Sequence, residues 1–263
     1  MYRLVDRESD AVLVEAIDVE GLFPSSAESA SGLLTFRGVT RDLLEDIPQP
    51  DRVRRALGLS VLDVVNRRGE NLGRYAQSEM DVLDPVPSER FTGLVDRSFG
   101  VGLPDEDDVF HSFAGELWRR WVDVPAGRAE WMEYPVEWHR DWLHVVMSAW
   151  FFAGKGPVRC GTDPVVEVDG RTMLSRAGMY CALGEAVNGP RGYFGCNLDG
   201  MDDCLRSTVG GNVPFRLVWR YFETSRRFVG TDYVERTVEI LREHGVDVVI
   251  TGTTESTRNS RNS

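Results

Sequence analysis

From residue 164 onward, short β-branched runs alternate with helical stretches, and this order limits the fold more than any other feature of the chain. Val165–Val168 is a predicted strand closed by an Asp169-Gly170 turn, and Leu174–Val187 has helical spacing. After the loop Asn188-Gly189-Pro190-Arg191-Gly192 comes a second helix, Asn197–Val209, then a strand at Pro214–Val218. A short helix, Tyr221–Phe228, and a longer one, Asp232–His244, lead to the helix stop Gly245 and a closing strand, Val246–Ile250. Strands joined by helical crossovers run parallel, because a tight hairpin cannot connect them. The pattern therefore predicts an α/β C-terminal domain, a small three-stranded parallel sheet covered by helices.

The earlier residues follow a different rhythm. Tyr2–Val5 and Val12–Ala16 alternate like a hairpin, Leu33–Val39 reads as another strand, and Leu57–Val65 with Leu72–Leu83 as a second hairpin. From Asp105 the period becomes helical: four acids at 105–108 suit a helix N-terminus, and Phe110, Phe113, Leu117, Trp118 and Trp121 follow. Pro135 opens a further helix bearing Trp138, Trp142, Val145, Val146 and Trp150. Residues 1–155 are thus expected to form a mixed α+β N-terminal domain. The stretch Ala153–Thr162, rich in glycine with one proline, places a linker at 156–163. The C-terminal domain then spans 164–251, with a frayed, disordered tail at 252–263.

Charge narrows the function. The chain has 42 acids against 30 bases, a formal net charge of −12. That balance argues against sequence-independent nucleic-acid binding, which needs surplus Lys and Arg to neutralise phosphates. It suits a basic protein partner. Residues 1–159 carry a net −10 and residues 160–263 a net −2, so any acidic recognition surface in the C-terminal part must be a local cluster. The first stretch, interrupted by Asp6, Glu8 and Asp10, does not read as a secretory signal, and no apolar run approaches the ~20 residues of a membrane span. A cytoplasmic, reducing setting is expected, with Cys160, Cys181, Cys196 and Cys204 as thiols.

One cluster stands out, at residues 193–205. A helix beginning near Asn197 places Asp199 and Asp203 at i and i+4 on one face, with Asp202 beside them. Like charges at that spacing repel, so the arrangement does nothing for an isolated helix. It suits a surface awaiting cations, although a charge run taken alone is usually a solvated face.

The wider block Tyr193-Phe194-Gly195-Cys196-Asn197-Leu198-Asp199 resembles the YYGxNLDALWD signature of the barstar family of ribonuclease inhibitors. Residues 214–225 are similar to that family's second strand and third helix, Asp169-Gly170 to the turn after its first strand, and residues 245–250 to its closing strand. The resemblance covers about residues 164–251. It implies a non-enzymatic inhibitor or immunity protein. Such a protein inserts the second helix and the loop before it into the active site of a basic, guanyl-specific ribonuclease of the barnase type, its carboxylates standing in for RNA phosphate. By this resemblance Asp203 is the central acid and Asp199 its partner one turn earlier. Tyr193, Gly195 and Asn197 are loop contacts, Asp202 adds a carboxylate, and a late-helix acid is supplied by Glu243 or Glu239.

The chain departs from the family pattern in places. Asp202 stands where the family commonly has tryptophan, and the segment from Ser207 to Asn212 is slightly longer and lacks a tryptophan. The family tends to have a cis bond at the position of Val213–Pro214. A competing reading keeps the fold but makes it a non-inhibitory regulatory adaptor. A third makes the N-terminal part an enzyme regulated by the C-terminal one.

Nothing else in the chain carries chemistry. His139 and His144 are five apart, off the i,i+4 spacing of paired metal ligands, and Gly154-Lys155-Gly156 is too short for a phosphate loop. Neither a metal site nor a cofactor site is expected. The six tryptophans between 118 and 150 read as core.

Overall fold

A computed structural model describes residues 1–44, 56–77, 79–103, 111–206 and 215–252. The acids at 105–108 and Phe110, the segment 207–214 with the Val213–Pro214 bond, and the tail beyond Gly252 lie outside the described residues. The chain divides into two compact units, Met1–Pro125 and Ala126–Ser263. Among the described residues, no helix is long and apolar enough to cross a membrane.

Among the described residues, the first unit is an antiparallel sheet with one helix. Its strands are β1 (Tyr2–Asp6), β2 (Val12–Glu20), β3 (Leu33–Asp42), β4 (Ala56–Leu57), β5 (Ser60–Val65), β6 (Asn71–Gln77), β7 (Met80–Val82), β8 (Val86–Pro87) and β9 (Val95–Gly100). They lie in the order β4-β7-β9-β3-β2-β1-β5-β6, with β8 paired to β9. Both expected hairpins form, β1 with β2 and β5 with β6. Strand β9 has a weaker apolar alternation in sequence, yet it bridges β3 and β7. Leu4, Leu34, Phe36, Leu62 and Phe99 are fully buried, each contributing roughly 2 kcal/mol by area. The buried Asp63 is compensated by Arg74 at 2.6 Å and by the Asn71 amide at 2.7 Å. Helix α1 (Ala114–Asp123) turns Leu117, Trp118 and Trp121 inward, and Trp118 Nε1 donates to the Tyr75 hydroxyl at 2.8 Å. This mixed α+β composition is the one expected of the N-terminal region.

The second unit begins earlier than the sequence suggests. Two 3-10 turns, Glu130–Glu133 and Val136–Trp138, lead into helix α2 (His139–Phe152), all of which belong to this unit and not to a 1–155 domain. The reason is packing against helix α3 (Arg176–Asn188). Helix α2 buries Trp142, Val145, Val146 and Trp150. His139 sits so close to Gly178 that a side-chain Cβ there would lie 3.0 Å from its Nδ1. The Glu185 carboxylate accepts from Ala129 N at 2.8 Å, and Arg191 pairs with Glu130 at 2.9 Å.

The stretch expected as a linker at 156–163 is pinned in the same way. Asn188, ending α3, accepts from Cys160 N at 2.6 Å and from Gly161 N at 3.2 Å, and donates to Val158 O at 3.1 Å. Gly161 lies so tightly on the end of α3 that any Cβ would meet Val187 O at 1.9 Å. Glycine and proline, which signal a flexible joint in sequence, here permit close backbone contact.

The remaining elements follow the predicted order: β10 (Val165–Asp169), α3, α4 (Leu198–Arg206), β11 (Arg216–Arg220), α5 (Phe222–Val229), α6 (Thr231–Glu243) and β12 (Asp247–Thr251). The strands form a parallel sheet in the order β10-β11-β12. Trp219 of β11 is fully buried and donates to Ser225 Oγ at 2.9 Å. Gly170 is required because a Cβ would lie 2.4 Å from both that hydroxyl oxygen and Tyr221 O. Trp131, Trp142 and Trp150 are all buried in this unit.

Candidate functional site: the acidic face of helix α4

Helix α4 is started by Asn197, whose Oδ1 accepts from Gly200 N at 2.7 Å while its carbonyl accepts from Met201 N at 3.0 Å. This is the bond pattern of a helix N-cap. Gly195, two residues earlier, has φ +94°, and a Cβ on it would lie 2.6 Å from Met201 N. The tight approach of this loop to the helix therefore demands glycine. Met201, Cys204 and Leu205 face inward, which turns the opposite side of the helix to solvent.

On that outer side Asp199 and Asp203 are both exposed, and neither makes an ion pair or hydrogen bond with a described residue. They lie one turn apart, as their spacing requires, with Asp199 in the first turn, where the helix dipole favours a negative charge. Among the described residues, nothing in the fold uses these two carboxylates.

Asp202 behaves differently. At ~100° per residue it is rotated away from Asp203, toward α6. Its Oδ1 lies 2.7 Å from His244 Nε2 and its Oδ2 2.6 Å from Arg206. The expectation that it joins the other two acids as a free carboxylate is corrected: it is half-buried, with the His244 ring and the Arg206 guanidinium of its own unit against its two oxygens. Asp199 and Asp203 are exposed, whereas Asp202 is engaged within its own unit.

Tyr193 also departs from a simple contact residue. It is 3% exposed, and its hydroxyl donates to Cys196 Sγ at 3.7 Å under the start of α4. Gly200 leaves room for that hydroxyl, since a Cβ would lie 3.3 Å from it. Burial, then the contact with Cys196, pushes the Tyr193 phenol well above its usual range. Its carbonyl accepts from Asn188 Nδ2 at 2.6 Å. Tyr193 thus supports the loop from beneath, while Cys196 and Asn197 form its exposed crest. Burial likewise pushes the Cys204 thiol up to about 12, which leaves it protonated and unreactive near neutral pH.

Glu243 and Glu239 both pair with Arg236 at 3.1 Å and remain largely exposed. Glu243 is in the last turn of α6, next to His244, which contacts Asp202 of α4. His244, which joins α4 to α6, was not singled out by sequence reasoning. Its contact spans 42 residues, and no local pattern announces it.

No curated protein matches the chain. Residues 164–255, which comprise the parallel sheet, helices α3 to α6 and the loop before α4, match the family Barstar (barnase inhibitor).

Proposed function

We propose that the second unit inhibits a basic ribonuclease of the barnase type by offering Asp199 and Asp203 to the cationic groups with which the nuclease holds RNA phosphate. The observation that carries this reading is the pair of exposed carboxylates, without a partner among the described residues, on a helix whose start is fixed by Gly195 and Asn197. A preorganised pair of this kind needs no rearrangement to bind, which lowers the cost of association. Glu243, in the last turn of α6 beside the Asp202–His244 contact, is the late-helix acid assigned to the same partner. The family match supports the partner class, and the exposed acids support a protein partner over a nucleic acid.

The test is a ribonuclease inhibition titration of the full chain against a panel of barnase-type and related guanyl-specific nucleases. Stoichiometric inhibition by the native protein is expected. Asp203→Ala should weaken it by roughly 100-fold, since a charge left unpaired on the nuclease costs about 3 kcal/mol. Inhibition should also decline with added salt, because steering between opposite charges is screened. Complex formation without any loss of turnover would favour the adaptor reading instead. The internal use of Asp202, where the family commonly has an apolar anchor, is the one observation on that side.

A further inference from the structure

Phe151 lies ahead of the stretch that matches the family, in the last turn of α2, yet it reaches the loop that precedes the acidic helix. Its ring centroid is 5.4 Å from that of Tyr193, in an edge-to-face arrangement, and Phe151 remains 44% exposed. Tyr193 in turn meets Cys196 and underlies the first turn of α4, where Asp199 sits. Asn188 fixes this proximity by bonding to both Val158 O and Tyr193 O, so the chain after α2 and the loop before α4 are held by one side chain. An exposed aromatic ring therefore packs on the loop that leads into the acidic helix, and it comes from outside the family-matched region.

We propose that Phe151 is a further partner-contacting residue, an apolar anchor beside Asp199 and Asp203 that the α2 extension adds to the inhibitory surface. The inference rests on the inhibitor reading above. The acidic helix lacks an apolar anchor of its own, because Asp202 points toward α6 and Tyr193 is buried. The occupant is the same basic ribonuclease. A guanidinium that pairs with a carboxylate also presents a flat cationic face, which an aromatic ring attracts. The unit already uses such contacts internally, with Arg171 3.9 Å over Tyr221 and Arg159 4.3 Å over Phe215. Aromatic residues at the centre of an interface are the ones whose truncation costs most.

The test compares native protein, Phe151→Ala, Phe151→Leu and Asp203→Ala as full chains, by stopped-flow association and dissociation with a nuclease the native protein inhibits. Phe151→Ala should raise the dissociation rate by about tenfold, with the association rate and its salt dependence unchanged, because the ring carries no charge. Phe151→Leu, which keeps Tyr193 covered, should retain the native unfolding midpoint and still dissociate several-fold faster. Asp203→Ala should slow association and flatten its salt dependence. Native dissociation rates in both Phe151 variants, with the Asp203 effect intact, would overturn this inference and leave the inhibitor reading standing. Failure of every panel nuclease to bind the native protein would overturn both.

Discussion

Asp202 and His244 meet at 2.7 Å and join the middle of α4 to the end of α6. Asp202 is therefore committed to the fold, whereas its neighbour Asp203 is exposed to solvent. Substitutions at these adjacent positions should have opposite consequences. Asp202→Ala breaks the contacts with both His244 and Arg206 and should lower stability by about 1 kcal/mol, since both pairs are only partly buried. Nuclease inhibition should change less than threefold, well below the effect of Asp203→Ala. Urea denaturation and the inhibition titration on the same preparation test this, and a loss of inhibition equal to that of Asp203→Ala would refute the division of roles.

The exposed pair Asp199 and Asp203 should be a small burden on the isolated protein. Asp199 and Asp203 repel at i,i+4, so Asp203→Asn should raise stability by about 0.3 kcal/mol. Asp199→Asn should be closer to neutral, because it also gives up a favourable charge in the first turn of the helix. Equilibrium denaturation at low ionic strength would reveal the difference. A destabilised Asp203→Asn would mean that its carboxylate has a structural partner.

Gly195 is fixed by geometry. Its φ of +94° is costly for any residue with a side chain, and its Cβ would run into the backbone of Met201. Gly195→Ala should cost about 2 kcal/mol or more and also shift the loop, so that inhibition falls together with the unfolding midpoint. Retention of native stability in this variant would contradict the described path of the loop.

His139 sets a pH dependence for the second unit. It is 3% exposed beside Trp131, and burial pulls its pKa below 6.5, opposed in part by the backbone of Tyr134 and Trp131. The unfolded chain therefore takes up a proton more readily than the folded one. The stabilising contribution is complete above about pH 6.5 and is lost as the pH falls from there through the depressed folded value. His139→Gln should flatten the decline in the urea midpoint between about pH 6.5 and 5. Parallel pH profiles for the native protein and the variant would show that His139 is not the group responsible.

Much of the C-terminal fold was legible because each of its signals is local. The order of strands and helices, the Asp169-Gly170 turn and Gly245 after α6 can all be read within a few residues. Asp199 and Asp203 were legible for the same reason, since i,i+4 spacing fixes their common face once α4 exists. The joint was misplaced because the residues after Gly154 carry the usual signals of a linker. Only the end of α3 shows that Asn188 and Val187 pin them down.

The sequence by itself determined the element order, the parallel sheet and the presence of an acidic helix, because periodicity and turn chemistry act between near neighbours in the chain. Tertiary structure alone decided which of these acids is engaged within the fold. His244 meets Asp202 across 42 residues, Phe151 packs on Tyr193, and the chain from Ala129 through α2 joins the second unit, Ala129 through Glu185 and α2 through His139 and the face of α3. These outcomes depend on contacts between distant segments. A chain's pattern specifies which faces must be buried, but the packed fold selects the partner that buries each one.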